Sequence, residues 1–206
     1  RKIYERRRNW RGLLDLYKRE LDIVSDSEKP DMLRTMAELA QKRLGDPKTA
    51  IAIWNGVLEV LPEDEQALDS LMHLYQRERR WMALAQITEV KLKTLDDPQK
   101  RLTTLESLGV LWSDRIGGTG RAIDVWREVL NIKPGHSKAI RVLRDLYAEA
   151  GDWGALEELF AEGENWQEFV DTLHRAADRT KDKEIKVKLF FKIADVWKHR
   201  LEKPDR

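Results

Sequence analysis

Eight tryptophans recur along this chain at a nearly constant spacing. Trp10, Trp81 and Trp153 lie 71 and 72 residues apart, and Trp54 and Trp126 are 72 apart. Trp81 to Trp166 and Trp112 to Trp197 are both 85, which is 72 plus 13. A rare residue returning on one period marks a structural unit that has been copied, here with one 13-residue insertion late in the chain. A copied unit constrains the fold more than any local propensity does, because each copy buries its apolar side against its neighbours.

The copies read as 10–80, 81–152, an insertion at 153–165, and a partial copy at 166–206. The first contains Met36-Ala37-Glu38-Leu39-Ala40, then Leu44-Gly45-Asp46-Pro47, then Ala50-Ile51-x-x-Trp54-x-x-Val57-Leu58 and Pro62. The second answers with Leu108-Gly109-Val110-Leu111-Trp112, Ile116-Gly117, Ala122-Ile123-x-x-Trp126-x-x-Val129-Leu130 and Pro134. The third supplies Ile193-Ala194-Asp195-Val196-Trp197, Leu201 and Pro204. Apolar residues fall at i, i+3, i+4 and i+7 throughout, the pattern of amphipathic helices, and no segment alternates as a strand does. Asp46-Pro47 and Asp97-Pro98 each join a capping residue to a proline at the first helical position. This predicts an all-α chain of about eleven helices, at roughly 1–22, 29–44, 47–60, 64–78, 81–96, 98–115, 119–131, 137–150, 153–162, 166–180 and 183–201.

Each 72-residue unit divides into two helix pairs, and the residues then resemble the tetratricopeptide repeat (TPR) family. Leu105, Leu108, Gly109 and Trp112, followed by Ala122, Trp126, Val129 and Pro134, follow its pattern, as do Phe190, Ile193, Ala194 and Trp197. The alternate pairs diverge more, through Leu68, Leu71, Met72 and Tyr75 and through Ile140, Leu143, Arg144 and Tyr147. The resemblance covers nearly the whole chain and implies a single right-handed α-solenoid over 1–206, a piece of a longer array. Two departures stand out. Ala37 to Ala50 and Gly109 to Ala122 are one residue longer than the family pattern, which predicts a lengthened turn between helices. Met72 and Arg144 replace small residues, which predicts looser packing there.

Composition narrows the function classes. Hydrophobic residues are 41% and charged residues 36%, a thin core under a charged surface, as stacked repeats require. The net charge of +1 exerts no general pull on nucleic acid or anionic membrane. With no cysteine there is no disulfide, thiolate metal site or Cys nucleophile, and both the cytoplasm, slightly favoured, and a disulfide-free periplasm accommodate such a chain. No apolar run reaches the roughly 18 residues of a membrane span. His73, His136, His174 and His199 show no metal-ligand spacing and no Ser-His-Asp pattern. Gly117-Gly118-Thr119-Gly120-Arg121 lacks the Gly-Lys-Ser/Thr ending of a phosphate loop and aligns with the ordinary turn at Gly45. The chain therefore reads as a non-catalytic protein that needs no cofactor.

The tryptophans on helix faces, Trp54, Trp112, Trp126 and Trp197, read as core, and Trp81 and Trp153 as half-buried joints. The resemblance implies that the first helix of each pair lines a peptide-binding groove. On the first unit that face carries Arg34, Glu38, Gln41, Asp69, His73 and Arg77. Further along it carries Glu106, Arg141 and Asp145. The asparagines of the family's carboxylate clamp are missing, with Glu38 and Val110 at two of their places, which argues against a chaperone-tail binder. A second candidate is the stretch Glu149–Asp171, which has eight acids and no Lys or Arg across the insertion. Its residues Glu157, Glu158, Glu162 and Glu164 would dock a basic partner. Arg6-Arg7-Arg8 is the feature behind an alternative, an RNA-binding helical repeat, which the even charge balance and the lack of a base-per-repeat code disfavour. The leading expectation is a scaffold for a protein or peptide partner.

Overall fold

The computed structural model describes residues 1–163 and 165–201, except for the side chain of Glu162. Among the described residues there is no strand, and helices follow one another with short turns. They are α1 (Lys2–Arg6), α2 (Trp10–Leu21), α3 (Lys29–Leu39), α4 (Pro47–Val60), α5 (Glu65–Arg77), α6 (Trp81–Thr94), α7 (Pro98–Val110), α8 (Thr119–Ile132), α9 (Ser137–Ala150), α10 (Trp153–Glu162), α11 (Trp166–Arg179) and α12 (Lys183–His199). The fold is all-α, built of TPR-like helix pairs, in two compact units, Arg1–Ile116 and Gly117–Arg206.

Local chemistry sets the helix starts. Asp46, Asp64, Asp97, Asp152 and Asp182 each accept a hydrogen bond from a backbone N–H of the first turn of the helix they precede. Pro47 and Pro98 occupy first-turn positions, where no N–H is needed.

The structure corrects the sequence expectation of where helices break and where the extra residue lies. The helix anticipated over 1–22 is broken. Arg8 adopts a left-handed φ of 51°, and the Asn9 side chain caps α2 by accepting from the Gly12 N–H at 3.0 Å. The same break precedes Trp81, where Arg79 has φ 54°, and Trp153, where Gly151 has φ 70°. A left-handed residue two positions before a tryptophan thus recurs at each of these joints, with a side-chain cap between them at Asn9 and Asp152.

The second correction concerns the extra residue. It lies in the helix rather than the turn. Ala40–Leu44 and Leu111–Ile116 continue α3 and α7 as π-helical turns. An i→i+5 turn absorbs one added residue without unwinding the helix. The first of these ends at Gly45, whose N–H reaches the Ala40 carbonyl with φ at 62°, and Gly117, with φ 80°, follows the second. Glycine meets these left-handed conformations without a Cβ clash.

In the first unit two clusters of buried residues tie α2 to α5. Leu13, Leu14, Tyr17 and Met36 join α2 to α3. Ala37, Ala40, Ala50, Ile51, Trp54, Val57, Leu68, Leu71 and Tyr75 join α3, α4 and α5. Three alanines with no exposed surface let α3 and α4 approach closely, and Trp54, fully buried, fills the space beside them. Its indole N–H donates to the Gln41 side-chain oxygen at 3.1 Å, so burial leaves no polar atom stranded.

In the second unit the 13-residue insertion contains a complete short helix, α10, with Leu156 and Phe160 fully buried. Phe160 meets Phe169 of α11 at a ring-centroid distance of 5.4 Å. Arg144 is taken up by the inserted helix and α11, with its Nε buried and unpaired. Its guanidinium lies 4.3 Å from the Phe160 ring centroid and donates to Glu168 at 2.5 Å, so it covers the inserted helix's aromatic. Phe190, a core position in the repeat pattern, is 43% exposed on α12, edge-on to His174.

Trp126 has no exposed surface. Trp126→Ala is expected to cost about 3–5 kcal/mol by urea denaturation, as aromatic truncations in cores do; a loss under about 1 kcal/mol would be the signature of a surface site.

Candidate functional site

The face that the sequence assigns to a partner is, in the first unit, largely occupied with holding helices together. Arg34 on α3 donates from Nε to Asp64 Oδ2 at 2.9 Å, makes a second bond to the same oxygen, and reaches Asp31 at 2.5 Å. Asp64 also caps α5 through the Ala67 N–H at 2.8 Å, and its side chain is 7% exposed. One carboxylate therefore serves a helix terminus and a neighbouring helix. Glu38, a turn further along α3, accepts from Lys42 at 2.8 Å and from Gln66 of α5 at 2.6 Å. The Lys42 ammonium, aided by Gln66, holds the Glu38 carboxyl below the usual carboxylate range. Gln41 is taken up by Trp54, and Asp69 of α5 is paired with Lys91 of α6.

What remains accessible on that face is His73, exposed, and Arg77, which is exposed beside Glu78 at 3.4 Å. Glu106 on α7 is half-buried. In the second unit Arg141 and Asp145 are both exposed, one turn apart on α9.

The acidic stretch is partly neutralised within its own unit. Lys192 of α12 pairs with Glu157, Arg144 pairs with Glu168, and Asp152 is spent as the α10 cap. Glu158 is exposed. Of the other two acids predicted to dock a partner, Glu164 lies outside the described residues and the Glu162 side chain is likewise not described.

Sequence reasoning passed over a constellation that the structure repeats three times. Arg43 lies over Trp10 at 5.4 Å, Arg115 over Trp81 at 5.5 Å, and Arg200 over Trp166 at 4.8 Å, measured to ring centroids. The arginines are 72 and 85 residues apart and the tryptophans 71 and 85, so the pairing has been copied with the repeat. The signal was present in the spacing of Arg43, Arg115 and Arg200, but surface arginines are too common for it to show without the structure. Arg6, Arg7 and Arg8 fall in the equivalent of Arg77-Glu78-Arg79, at the end of one helix and the joint before the next.

Among the described residues no cluster of His, Asp and Glu could hold a metal ion, and no helix is long and apolar enough to cross a membrane. No known family profile matches the chain, and no curated protein sequence does. Among solved structures it is similar to a double mutant of MamA RS-1, with 16% identity over 87% of this chain and 93% of the other and a TM-score of 0.43. It is also similar to YrrB, described as a TPR protein with an unusual peptide-binding site, with 13% identity, coverage of 90% and 94% and a TM-score of 0.44. Pseudomonas aeruginosa PilF gives 15% identity, coverage of 98% and 90% and a TM-score of 0.41. At these identities and TM-scores the likeness says nothing of what this chain binds.

The shared carboxylate of Asp64 leads to a measurable coupling. A double-mutant cycle with Arg34→Gln and Asp64→Asn should give about 1.5–3 kcal/mol, the range for hydrogen bonds to charged groups; additive single losses would make the pair decorative. Because the Glu38 carboxyl is held low in the fold, its contribution is present above its ordinary value of 4.5 and is lost as pH falls below that. Glu38→Gln should therefore shrink the drop in urea midpoint between about pH 6 and about pH 3, a comparison that an unchanged drop would contradict.

Proposed function

We propose that this chain is a non-catalytic scaffold that binds an extended segment of a partner protein along the helices of its first positions, α3 and α5 foremost. The observation that carries the reading is the pair of lateral ties, Arg34 to Asp64 and Glu38 to Gln66. They hold α3 and the start of α5 side by side without using up the outer turns of α5. His73 and Arg77 are then presented from a rigid support, and a partner meets groups that need little ordering on binding. Recognition of this kind proceeds by several modest polar contacts and sets specificity more than raw affinity.

The same reading gives the acidic stretch a secondary part. Glu158, with Glu162 and Glu164 beside it in sequence, faces a basic segment of the partner. Glu157 and Glu168 contribute less, because Lys192 and Arg144 already compensate them. Contacts to such exposed acids are screened over about 8 Å at physiological salt, so this part of the binding weakens as salt is raised.

Two variants of the chain separate these surfaces in a co-purification from the native source at low salt. One carries His73→Ala and Arg77→Glu; the other carries Glu157→Gln, Glu158→Gln, Glu162→Gln and Glu164→Gln. The first is expected to lose the partners that wild type retains, and the second to lose a salt-sensitive subset. Equal recovery by all three proteins would remove both surfaces from the function. Calorimetric titration with Mg-ATP is expected to show no saturable heat; a saturable signal abolished by changing Gly118 and Gly120 would restore the phosphate-loop reading.

A further inference from the structure

We infer that the cleft at the joint before α6 is a binding site for a short acidic peptide segment with an apolar side chain beside its carboxylates. The inference rests on the scaffold reading above and names a site and a ligand chemistry that the reading does not contain.

The cleft has a volume of about 580 Å³ and is lined by Arg80, Trp81, Met82, Ala83, Gln86, Arg115 and Ile116. It is an open surface groove rather than an enclosed cavity, a form that admits a side chain or two of an extended segment. It is the middle copy of the Arg–Trp joint, and comparison with the other two copies shows what is special about it. Counting from the tryptophan, the second residue on is Gly12, Ala83 or Glu168, and the fifth is Asp15, Gln86 or Asp171. The preceding residue is Asn9, Arg80 or Asn165.

In the first copy the joint is filled from within. Tyr4 lies against Gly12 so closely that a Cβ there would stand 2.6 Å from its ring. In the third copy Glu168 and Asp171 bring two acids, and Glu168 is paired with Arg144. The middle copy has lost every acid at these positions and gained a second arginine. Among the described residues neither Arg80 nor Arg115 is hydrogen-bonded to a carboxylate; each guanidinium rests on a ring, at 5.2 Å from Tyr75 and 5.5 Å from Trp81.

Two guanidiniums with unused donors and no acid in the lining select an anion, and their planar forks match a carboxylate in particular. Apart from Gln86, the rest of the lining is apolar. Met82 is 51% exposed and Trp81 and Ile116 are half-buried, so an aliphatic or aromatic side chain settling on them removes surface from water. The Gln86 amide can donate to and accept from the backbone of an extended segment. Trp, Met and Arg together are the composition of interface hot spots.

The test uses the 15N-labelled chain and three probes: the peptide Gly-Asp-Glu-Leu-Phe-Asp-Glu-Gly, its counterpart with every acid replaced by the amide, and single-stranded oligouridine. Saturable shifts at the Trp81 indole and the Arg115 Nε–H are expected with the acidic peptide and not with the amide counterpart. Gln86→Asp installs the residue that Asp15 and Asp171 already place in the other joints, so it is compatible with the fold, and thermal melting checks this. Gln86→Asp and Arg115→Gln should each weaken binding about three- to fivefold, the span of one partly exposed charge contact, while Arg43→Gln in the first joint leaves it unchanged. The proposal is overturned by no saturable shift at low salt, by equal binding of the amide peptide, or by oligouridine occupying the same residues as tightly. Shifts centred on α3 and α5 instead would overturn the cleft and leave the scaffold reading standing, whereas failure of that reading shows in the co-purification, which does not involve the cleft.

Discussion

The close approach of α3 and α4 is the contact on which the first unit depends. Ala37, Ala40 and Ala50 have no exposed surface, and their size lets two helices come together with little between them. Trp54 then fills what the alanines leave open, and Gln41 receives its N–H. Neither half works alone. Small residues without the tryptophan leave a void, and voids in close-packed interiors cost stability in proportion to their size. A tryptophan without small residues opposite would hold the helices apart. The 72-residue period keeps the Ala and Trp positions in step, and Ala122 and Trp126 of the second unit are likewise fully buried.

The joints between pairs follow from a second constraint, the single extra residue in each 72-residue unit. It is absorbed as a π-helical turn at the end of α3 and of α7. Arg43 and Arg115 both sit in those turns and both lie over the tryptophan that opens an earlier helix. A local irregularity in backbone winding and a cation–π contact are thus coupled in the first two copies. Once the joint geometry is held by backbone and ring, the residues around it are free to diverge in charge. Asp15, Gln86 and Asp171 illustrate that freedom.

Charge in this chain does more internal work than its composition suggests. With charged residues at 36% and a net charge of +1, attraction between neighbours is available almost everywhere. Arg34, Glu38, Asp69, Glu157 and Glu168 are each committed to another helix. Individually such ties contribute little where they are exposed, but they set the register between helices. Of the residues that the sequence assigned to a partner, those left exposed are His73 and Arg77 in the first unit and Arg141, Asp145 and Glu158 in the second.

The helices, their caps and the copied unit were legible in the sequence, because helical periodicity, Asp-Pro capping and tryptophan spacing are all properties of residues near one another along the chain. Trp54 and Trp126 could be assigned to the core on that basis alone. The break at Arg8 was hidden, since the α1 and α2 patterns run together without a glycine or proline to separate them. The site was much less legible. That Arg34 is spent on Asp64, 30 residues away, and Glu157 on Lys192, 35 away, depends on which helices pack together. Sequence determined which faces turn inward, because burial follows a period that any single helix displays. Only the tertiary structure decided which charges remain free, because a charge is neutralised by whatever the fold brings within a few ångströms, and no local pattern encodes that neighbour.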